Sequence, residues 1–385
     1  YTALRSGLLR RVEWALVARL GSRAFETISG GVVNVSLIGF TNRSPRQEAT
    51  CLGLEVSGHP SATLKASALY SAALRLILQE AQLANPDARV NLEPISSGSL
   101  LGKVANAWQG IASSDGPRFG LCFWELPAVG HGWRFQQSTV TATVPFGGRE
   151  HILYWEDGSG VLTEVCQKGA AFRGMSAWGK RGIVVSQMSD LPVTIYTGEL
   201  FDNNASILMP NEPSLVSAIW CFCESGAFGA EVRKIDRSLK VTNSSLTKVQ
   251  FDSAHWEKVA AELYPEGMPV PSSGDATQWL FAGYPTNASE PLHVAVARLL
   301  CYQWPRQTGS SFPDCPGLGP DGLELMADDD GIVCLPALNK EQPAAARLRA
   351  VLSEAFAEGW SPAKEQELLA ATGSNAASLE DWIRD

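Results

Sequence analysis

Residues 108–119 have the sequence Trp108-Gln109-Gly110-Ile111-Ala112-Ser113-Ser114-Asp115-Gly116-Pro117-Arg118-Phe119. From there to about residue 250, short runs rich in β-branched and aromatic residues alternate with glycine-containing turns. This spacing is typical of a mixed, mainly β domain with long loops. The runs that we interpret as strands are 119–124, 138–144, 151–155, 182–187, 193–196 and 206–208.

Two later clusters repeat the mixture of glycine, aromatic and basic residues found in 108–119. They are Pro145-Phe146-Gly147-Gly148-Arg149-Glu150 with Tyr154-Trp155-Glu156-Asp157-Gly158, and Phe172-Arg173-Gly174-Met175 with Trp178-Gly179-Lys180-Arg181-Gly182. Glycine lets a backbone approach a ligand closely, arginine and lysine contact phosphates or guanine, and an amide such as Gln109 can bind adenine. Each cluster alone is also explained by a tight turn around a packed aromatic ring. The presence of three such clusters in one β-rich domain favours contact with a ligand.

The N-terminal part of the sequence has the pattern of predicted helices and strands that is typical of an α/β domain. Residues 1–12 indicate the end of a helix, and 12–20 indicate a strand. The run 32–40 is almost entirely apolar, which predicts a strand buried on both faces. A long amphipathic helix is predicted at 67–83, with Asn85-Pro86 as its stop signal.

The C-terminal side is predominantly helical. We expect a buried helix at 214–228 that ends at Gly226, and an acidic loop at 314–336. Ser361-Pro362 predicts a serine cap followed by proline in the first turn. Further helices are predicted at 252–264, 290–302, 343–358 and 375–384.

The 385 residues are 45% apolar and 18% charged, which predicts a globular protein of two or three domains. The net charge of −9 would by itself argue against nucleic acid as a partner. However, residues 312–385 hold 14 acidic and five basic side chains, so this segment accounts for the whole excess of negative charge. Because phosphate contacts require local basic patches, the total does not exclude DNA. One patch could equally be a solvated helix end; it comprises Arg233, Lys234, Arg237, Lys240 and Lys248.

Several kinds of chemistry lack their sequence signature. The chain has no phosphate-binding loop, no dinucleotide fingerprint, no nucleophile elbow and no Cys-x-x-Cys. Asp328-Asp329-Asp330 could bind a cation, although a solvated acidic loop is the simpler interpretation. The eight cysteines are interpreted as free thiols in a reducing cytosol, which predicts a cytoplasmic protein. No run approaches the length of a membrane helix.

A family resemblance is carried by the order of these motifs. Gln109-Gly110, Ser114-Asp115 and Arg118-Phe119 resemble the "Q-G-x-x-T-G-D-N-x-R-F" start of the target recognition domain of large adenine-specific DNA methyltransferases. Ser114 and Gly116 depart from that pattern, and the lysine of the later "K-G-G" stretch is missing. The pieces that follow in family order are 145–149, 154–158, 182–186, 206–210 and 217–225. Separately, residues 20–35 resemble the closing strands of the same methyltransferases.

The resemblance implies an α/β and α+β fold in four parts. These are the last strands of a Rossmann-like methyltransferase sheet (1–46), a helical connector (47–104), a mixed, mainly β target recognition domain (105–311), and an acidic loop with a helical C-terminal segment (312–385). It also implies double-stranded DNA as partner and S-adenosylmethionine as methyl donor. The cofactor site and the Asn-Pro-Pro-Tyr/Phe motif are expected upstream of Tyr1, because neither occurs in this chain.

The function implied is DNA recognition within a site-specific methyltransferase that marks host DNA. Such enzymes belong to restriction-modification systems of type IIG and to the BREX and DISARM phage-defence systems. The acidic tail could dock another subunit or mimic DNA. The alternative is a non-catalytic DNA-specificity or assembly subunit. A carbohydrate-binding β module, suggested by the 12 tryptophans, is disfavoured by the arginine clusters.

The candidate DNA contacts are Gln109, Ser114, Arg118, Arg149, Lys180 and Arg181. Phe119, Trp124 and Trp155 are expected to support the loops that carry them. No catalytic residue, cofactor ligand or metal ligand is assigned within the chain.

Overall fold

The computed structural model describes residues 1–27, 33–93, 98–113, 115–167 and 173–385. These ranges form a mixed α/β structure. The strands are β1 (Glu13–Gly21), β2 (Val35–Thr41), β3 (Thr50–Glu55), β4 (Arg75–Leu78), β5 (Ala105–Gln109), β6 (Gly120–Cys122), β7 (Trp133–Gln137), β8 (His151–Tyr154), β9 (Gly182–Ser186), β10 (Val193–Tyr196), β11 (Leu200–Phe201) and β12 (Ala205–Pro210).

The α-helices of the same ranges are mostly short. They are α1 (Thr2–Arg11), α2 (Ala62–Ser71), α3 (Gly116–Phe119), α4 (Val161–Gln167), α5 (Val216–Glu224), α6 (Ala227–Ile235), α7 (Asn243–Leu246), α8 (Ser253–Leu263), α9 (Pro291–Leu299), α10 (Ala344–Phe356), α11 (Pro362–Ala371) and α12 (Leu379–Trp382). The strands form three four-stranded sheets with the orders β2-β1-β3-β4, β10-β9-β12-β5 and β11-β7-β8-β6.

The chain divides into two compact units. Unit 1 contains 1–108, 185–192 and 208–265; unit 2 contains 109–184, 193–207 and 266–385. Residues 312–385 thus share unit 2 with 109–184. The five candidate DNA contacts that the structure describes, Gln109, Arg118, Arg149, Lys180 and Arg181, belong to unit 2.

In unit 1, β1 lies in the interior of its sheet, antiparallel to β2 and parallel to β3. Helix α1 packs on the sheet through Leu9, which shares a core with Trp14 and Val17. The buried Gln79 joins these elements, because its amide donates to the Leu9 carbonyl (2.8 Å) and accepts from the Trp14 N–H (2.9 Å). An amide with both ends bonded can be buried at little cost.

The prediction that the strand in 32–40 is buried on both faces is wrong. β2 is the first strand of its sheet, and β1 is its one neighbour in the described chain. Leu37, Ile38 and Phe40 are each about half exposed. The composition of a buried strand is therefore found at a sheet edge.

The predicted helix at 67–83 is also partly wrong. Helix α2 ends at Ser71, and Arg75–Leu78 instead forms β4, antiparallel to β3 with Ile77 opposite Cys51. A short apolar run fits a helix or a strand equally well by periodicity. Pairing with β3 selects the extended conformation for Arg75–Leu78, and we did not predict β3 from the sequence.

In unit 2, β7 and β8 pair antiparallel, and a core of large aromatic side chains contains Phe123, Trp279 and Phe312. The predicted strands in 151–155 and 193–196 are confirmed as β8 and β10. Residues 138–144 do not form a strand, because the Ser138 and Val144 N–H groups make single bonds to Gly148 and Val193 instead of a ladder.

The predicted helices at 252–264 and 290–302 are confirmed as α8 and α9. Gly226, with a φ of 80°, separates α5 from α6. Cys221 and Cys223 are buried in α5, as expected, and burial raises the pKa of Cys223. No single described helix has the length and composition of a membrane span; only 213–224 and 227–235 taken together do, and they are bent by 75°.

Candidate nucleic-acid interface

Gln109 is the last residue of β5, and its side-chain amide is bonded at both ends. Nε2 donates to the backbone carbonyl of Asn203 at 3.0 Å, and Oε1 accepts from Nη1 of Arg173 at 2.8 Å. These partners fix which amide atom is which, because a carbonyl only accepts and a guanidinium only donates. The adenine-binding atoms predicted for Gln109 are therefore engaged within the protein.

The backbone next to Gln109 is held tightly by the strand beside it. The Ile111 N–H donates to the Phe201 carbonyl at 2.8 Å. A Cβ on Gly110 would lie 2.1 Å from the Phe201 carbonyl oxygen and 2.3 Å from that of Asp202. Glycine is required here because of this close approach, which is to the chain's own backbone and not to a ligand.

Arg118 lies in α3 and is exposed, with its guanidinium over the Phe119 ring at 5.0 Å. Phe119 itself is buried and belongs to a group of apolar side chains, called here the Phe119 cluster. The cluster comprises Ile111, Phe119, Leu153, Leu162 and Leu200, with Tyr154, Trp155 and Trp178 packed against it. Ser114, another candidate contact, lies outside the described residues.

The supporting aromatic residues have different environments. Trp155 packs edge-on against Trp178 with ring centroids 5.4 Å apart, so Phe119 and Trp155 contribute to the same cluster. Trp124 is 42% exposed and meets the Phe123 ring edge-on at 5.0 Å. Trp124 does not belong to the Phe119 cluster.

Arg149, another candidate DNA contact, is buried in the described structure. The residue is 0% exposed. Nη1 donates to the Gly147 carbonyl (3.1 Å) and Nη2 to the Ile195 carbonyl (2.8 Å), while the guanidinium lies against the rings of Phe146 and Trp279. Burial lowers the pKa of Arg149 to about 10, so it remains charged at neutral pH.

Because Arg149 is buried, the motif cluster that contains Gly147 and Gly148 exposes no positive charge next to these glycines. Gly147 and Gly148 line an open cavity of about 630 Å³, together with the carboxylates of Glu150 and Asp275. Because these carboxylates would repel phosphates, this cavity is unsuited to binding one.

Lys180 and Arg181 follow a short turn that begins at Gly174. Lys180 is exposed. Arg181 forms an ion pair with Asp314 of the acidic loop, and both side chains remain partly exposed. The acidic loop thus neutralises one of the predicted DNA contacts.

Arg173 is the cation that the candidate set omitted. It is exposed, and the one side chain to which it is bonded in the described structure is Gln109. A signal was present in the sequence, since Arg173 precedes Gly174 in the third motif cluster. The sequence alone does not indicate that the Gln109 side chain accepts a hydrogen bond from Arg173.

The other basic patch of the sequence is used within unit 1. Arg237 pairs with Glu55 at 3.0 Å, and Lys248 pairs with Asp87 at 2.6 Å. Arg233 donates to the backbone carbonyls of Ser189, Asp236 and Ser238. These contacts favour a structural role for the patch over phosphate binding.

Many carboxylates of 312–385 are likewise paired inside the segment or with α9. Asp321 accepts two bonds from the buried Arg298 at 2.7 and 2.8 Å. Asp328, the first residue of the Asp328-Asp329-Asp330 run, accepts from Arg347, which lowers the pKa of Asp328. Within the described ranges, no group of His, Cys, Asp or Glu side chains has the arrangement of a metal site.

The sequence matches no protein-family model and no curated protein. Among solved structures, the DNA complex of the Type IIL restriction-modification enzyme MmeI is similar over 99% of this chain, with 12% sequence identity and a TM-score of 0.36. The chain spans about half of that structure, 47% of its length.

Proposed function

We propose that this chain is the DNA-recognition part of a site-specific, S-adenosylmethionine-dependent adenine DNA methyltransferase of a bacterial restriction-modification or phage-defence system. The observation that carries the proposal is the arrangement of cations around the Phe119 cluster. Arg118 and Lys180 are exposed, and they lie, respectively, one residue before Phe119 and two residues after Trp178 in the sequence. Arg173 is bonded to Gln109, two residues before Ile111. A cluster of buried apolar side chains, with partly buried aromatic rings packed against it, thus supports the loops that carry these cations.

The sequence motifs supply the reaction type. Enzymes of this kind extrude the target adenine from the duplex before its amino group is methylated. S-adenosylmethionine would supply the methyl group, bound by residues outside this chain. Unit 2 would bind the duplex through its phosphates and discriminate between base pairs.

The DNA-binding proposal is tested with the full 385-residue chain and a pool of DNA duplexes whose central segment is randomised. Repeated selection should enrich one short motif, and log Kd should rise linearly with log salt concentration. Arg118→Ala and Lys180→Ala should each lower that slope by about 1, because each removes one phosphate contact. Enrichment of no motif would exclude sequence-specific recognition.

The methyltransferase part of the proposal has its own test. The coding sequence upstream of Tyr1 is expected to encode Asn-Pro-Pro-Tyr or Asn-Pro-Pro-Phe in frame. Its absence, together with sequence-specific DNA binding, would favour the non-catalytic specificity subunit instead.

A further inference from the structure

We infer that Arg173 recognises a guanine in the major groove and that Gln109 is the residue that positions it. This inference rests on the proposed function, and it reverses the roles that the motif suggested. Gln109 resembles a base-reading amide in the sequence, but both ends of its amide are bonded within the protein. The group that it presents outward is the guanidinium of Arg173.

The glycine that follows each member of this pair is closely packed. Gly110 lies so close to Phe201 and Asp202 that no side chain fits. Gly174, with a φ of 79°, would place a Cβ 2.7 Å from the Gln109 carbonyl oxygen and 2.3 Å from the Phe201 ring. The residue that follows Arg173 is therefore packed against the strand end that carries Gln109.

The chemistry of base recognition explains why such anchoring matters. Guanine offers two acceptors in the major groove, O6 and N7, and arginine binds both in one plane. The bond to Gln109 uses one of the five N–H donors of Arg173, and the side chain is exposed. A guanidinium held by a fixed amide loses less rotational entropy on binding, and its donors keep one direction.

Arg118 provides the contrast. Its guanidinium lies over the Phe119 ring at 5.0 Å, a contact that does not fix the direction of its N–H groups. A cation held in this way suits a phosphate, for which position matters more than the angle of the donors. The structure therefore separates a base-reading arginine from a phosphate-binding arginine in the same unit.

The experiment repeats the duplex selection with Arg173→Ala, Arg173→Lys and Gln109→Ala, with Arg118→Ala as matched control. Arg173→Ala should lose the guanine preference at one position of the enriched motif and keep the others. Its affinity for the wild-type motif should fall by about 10- to 100-fold. Arg173→Lys should weaken the same preference although it keeps the charge, because lysine lacks the planar fork of donors. Gln109→Ala should broaden the same position.

Two results would overturn the inference. One is an unchanged motif with uniformly weaker binding in Arg173→Ala, which is the behaviour expected of Arg118→Ala. The other is a guanine preference that is as strong in Arg173→Lys as in the wild-type chain, since the proposal depends on the planar fork of arginine. If the wild-type chain enriches no motif at all, the proposed function itself has failed. Thermal unfolding midpoints equal to wild type would show that the variants are folded.

Discussion

At the scale of single residues, Arg149 shows how burial determines the role of a cation. Its guanidinium donates to the carbonyls of Gly147 and Ile195 and to the hydroxyl of Thr197. A buried charge costs free energy unless hydrogen bonds compensate it. Here those bonds hold the glycine loop against β10, so the residue is structural.

The variant Arg149→Met tests this role. It keeps the volume but removes the three bonds, so we expect the free energy of unfolding to fall by about 2 kcal/mol. The affinity for DNA per folded molecule should not change. Chemical denaturation together with DNA titration measures both quantities, with Arg118→Ala as the control that shows the opposite pattern. Wild-type stability combined with weakened DNA binding would restore the original interpretation.

A second residue-scale prediction concerns the pair formed by Arg181 and Asp314. Asp314→Ala releases Arg181 and removes a negative charge from beside it. Since exposed pairs contribute at most about 1 kcal/mol, DNA affinity at low salt should rise about 2- to 5-fold. The substitution should have no effect in an Arg181→Ala background. An equal increase in that background would mean that Asp314 acts on DNA without Arg181.

At the scale of elements, the junction after β5 depends on Gly110. Gly110→Ala would force a methyl group against the carbonyl oxygens of Phe201 and Asp202, so β11 must move away. We expect a lowered thermal unfolding midpoint and increased proteolysis of unit 2. Gly116→Ala is the matched control, since its Cβ would have no atom within 4 Å. Equal midpoints for the two variants would contradict the close approach.

A second element-scale prediction concerns pH and the C-terminal helices. Arg349 of α10 holds both Glu365 of α11 and Glu380 of α12. The bonds from Arg349 lower the pKa of Glu380 from 4.5 to about 2. Because the folded pKa is the lower one, the stabilisation is present above pH 4.5 and is lost as the pH falls toward 2.

Helix content followed by circular dichroism against pH therefore distinguishes wild type from Arg349→Ala. The wild-type chain should lose stability between pH 4.5 and about 2, whereas the variant should be less stable at neutral pH and less sensitive to acid. Parallel curves for the two proteins would show that this triad does not govern the acid response.

Elements with strong local signals could be predicted from the sequence. The serine cap of α11 is one, since the Ser361 hydroxyl accepts from the Lys364 N–H at 3.2 Å. Elements that depend on a distant partner could not: β4 exists because β3 lies beside it. In the candidate site, the glycine positions followed from the motif, whereas the burial of Arg149 depends on Trp279, 130 positions away in sequence.

At the scale of the whole molecule, the acidic segment is part of a core. Leu348, Val351 and Leu352 of α10 pack in one apolar cluster with Leu292 and Leu299 of α9. Deleting 312–385 would expose the apolar side of α9 to water. We expect the shortened chain to bind a hydrophobic dye and to aggregate, which light scattering would detect.

The same deletion would therefore be a poor test of DNA mimicry, because lost folding and lost charge act together. Asp329→Asn and Glu358→Gln, both at exposed positions, change the charge without removing core residues and serve as the comparison. A monomeric, cooperatively folded 1–311 fragment would contradict the shared core.

The exposed strand β2 has a practical consequence. Its segment, Val35–Thr41, contains neither the lysine nor the proline with which natural proteins block strand edges, and Leu37 and Ile38 project to opposite sides. Such an edge can template another extended chain at micromolar concentrations. We therefore expect aggregation of the purified 385-residue chain to increase with its concentration.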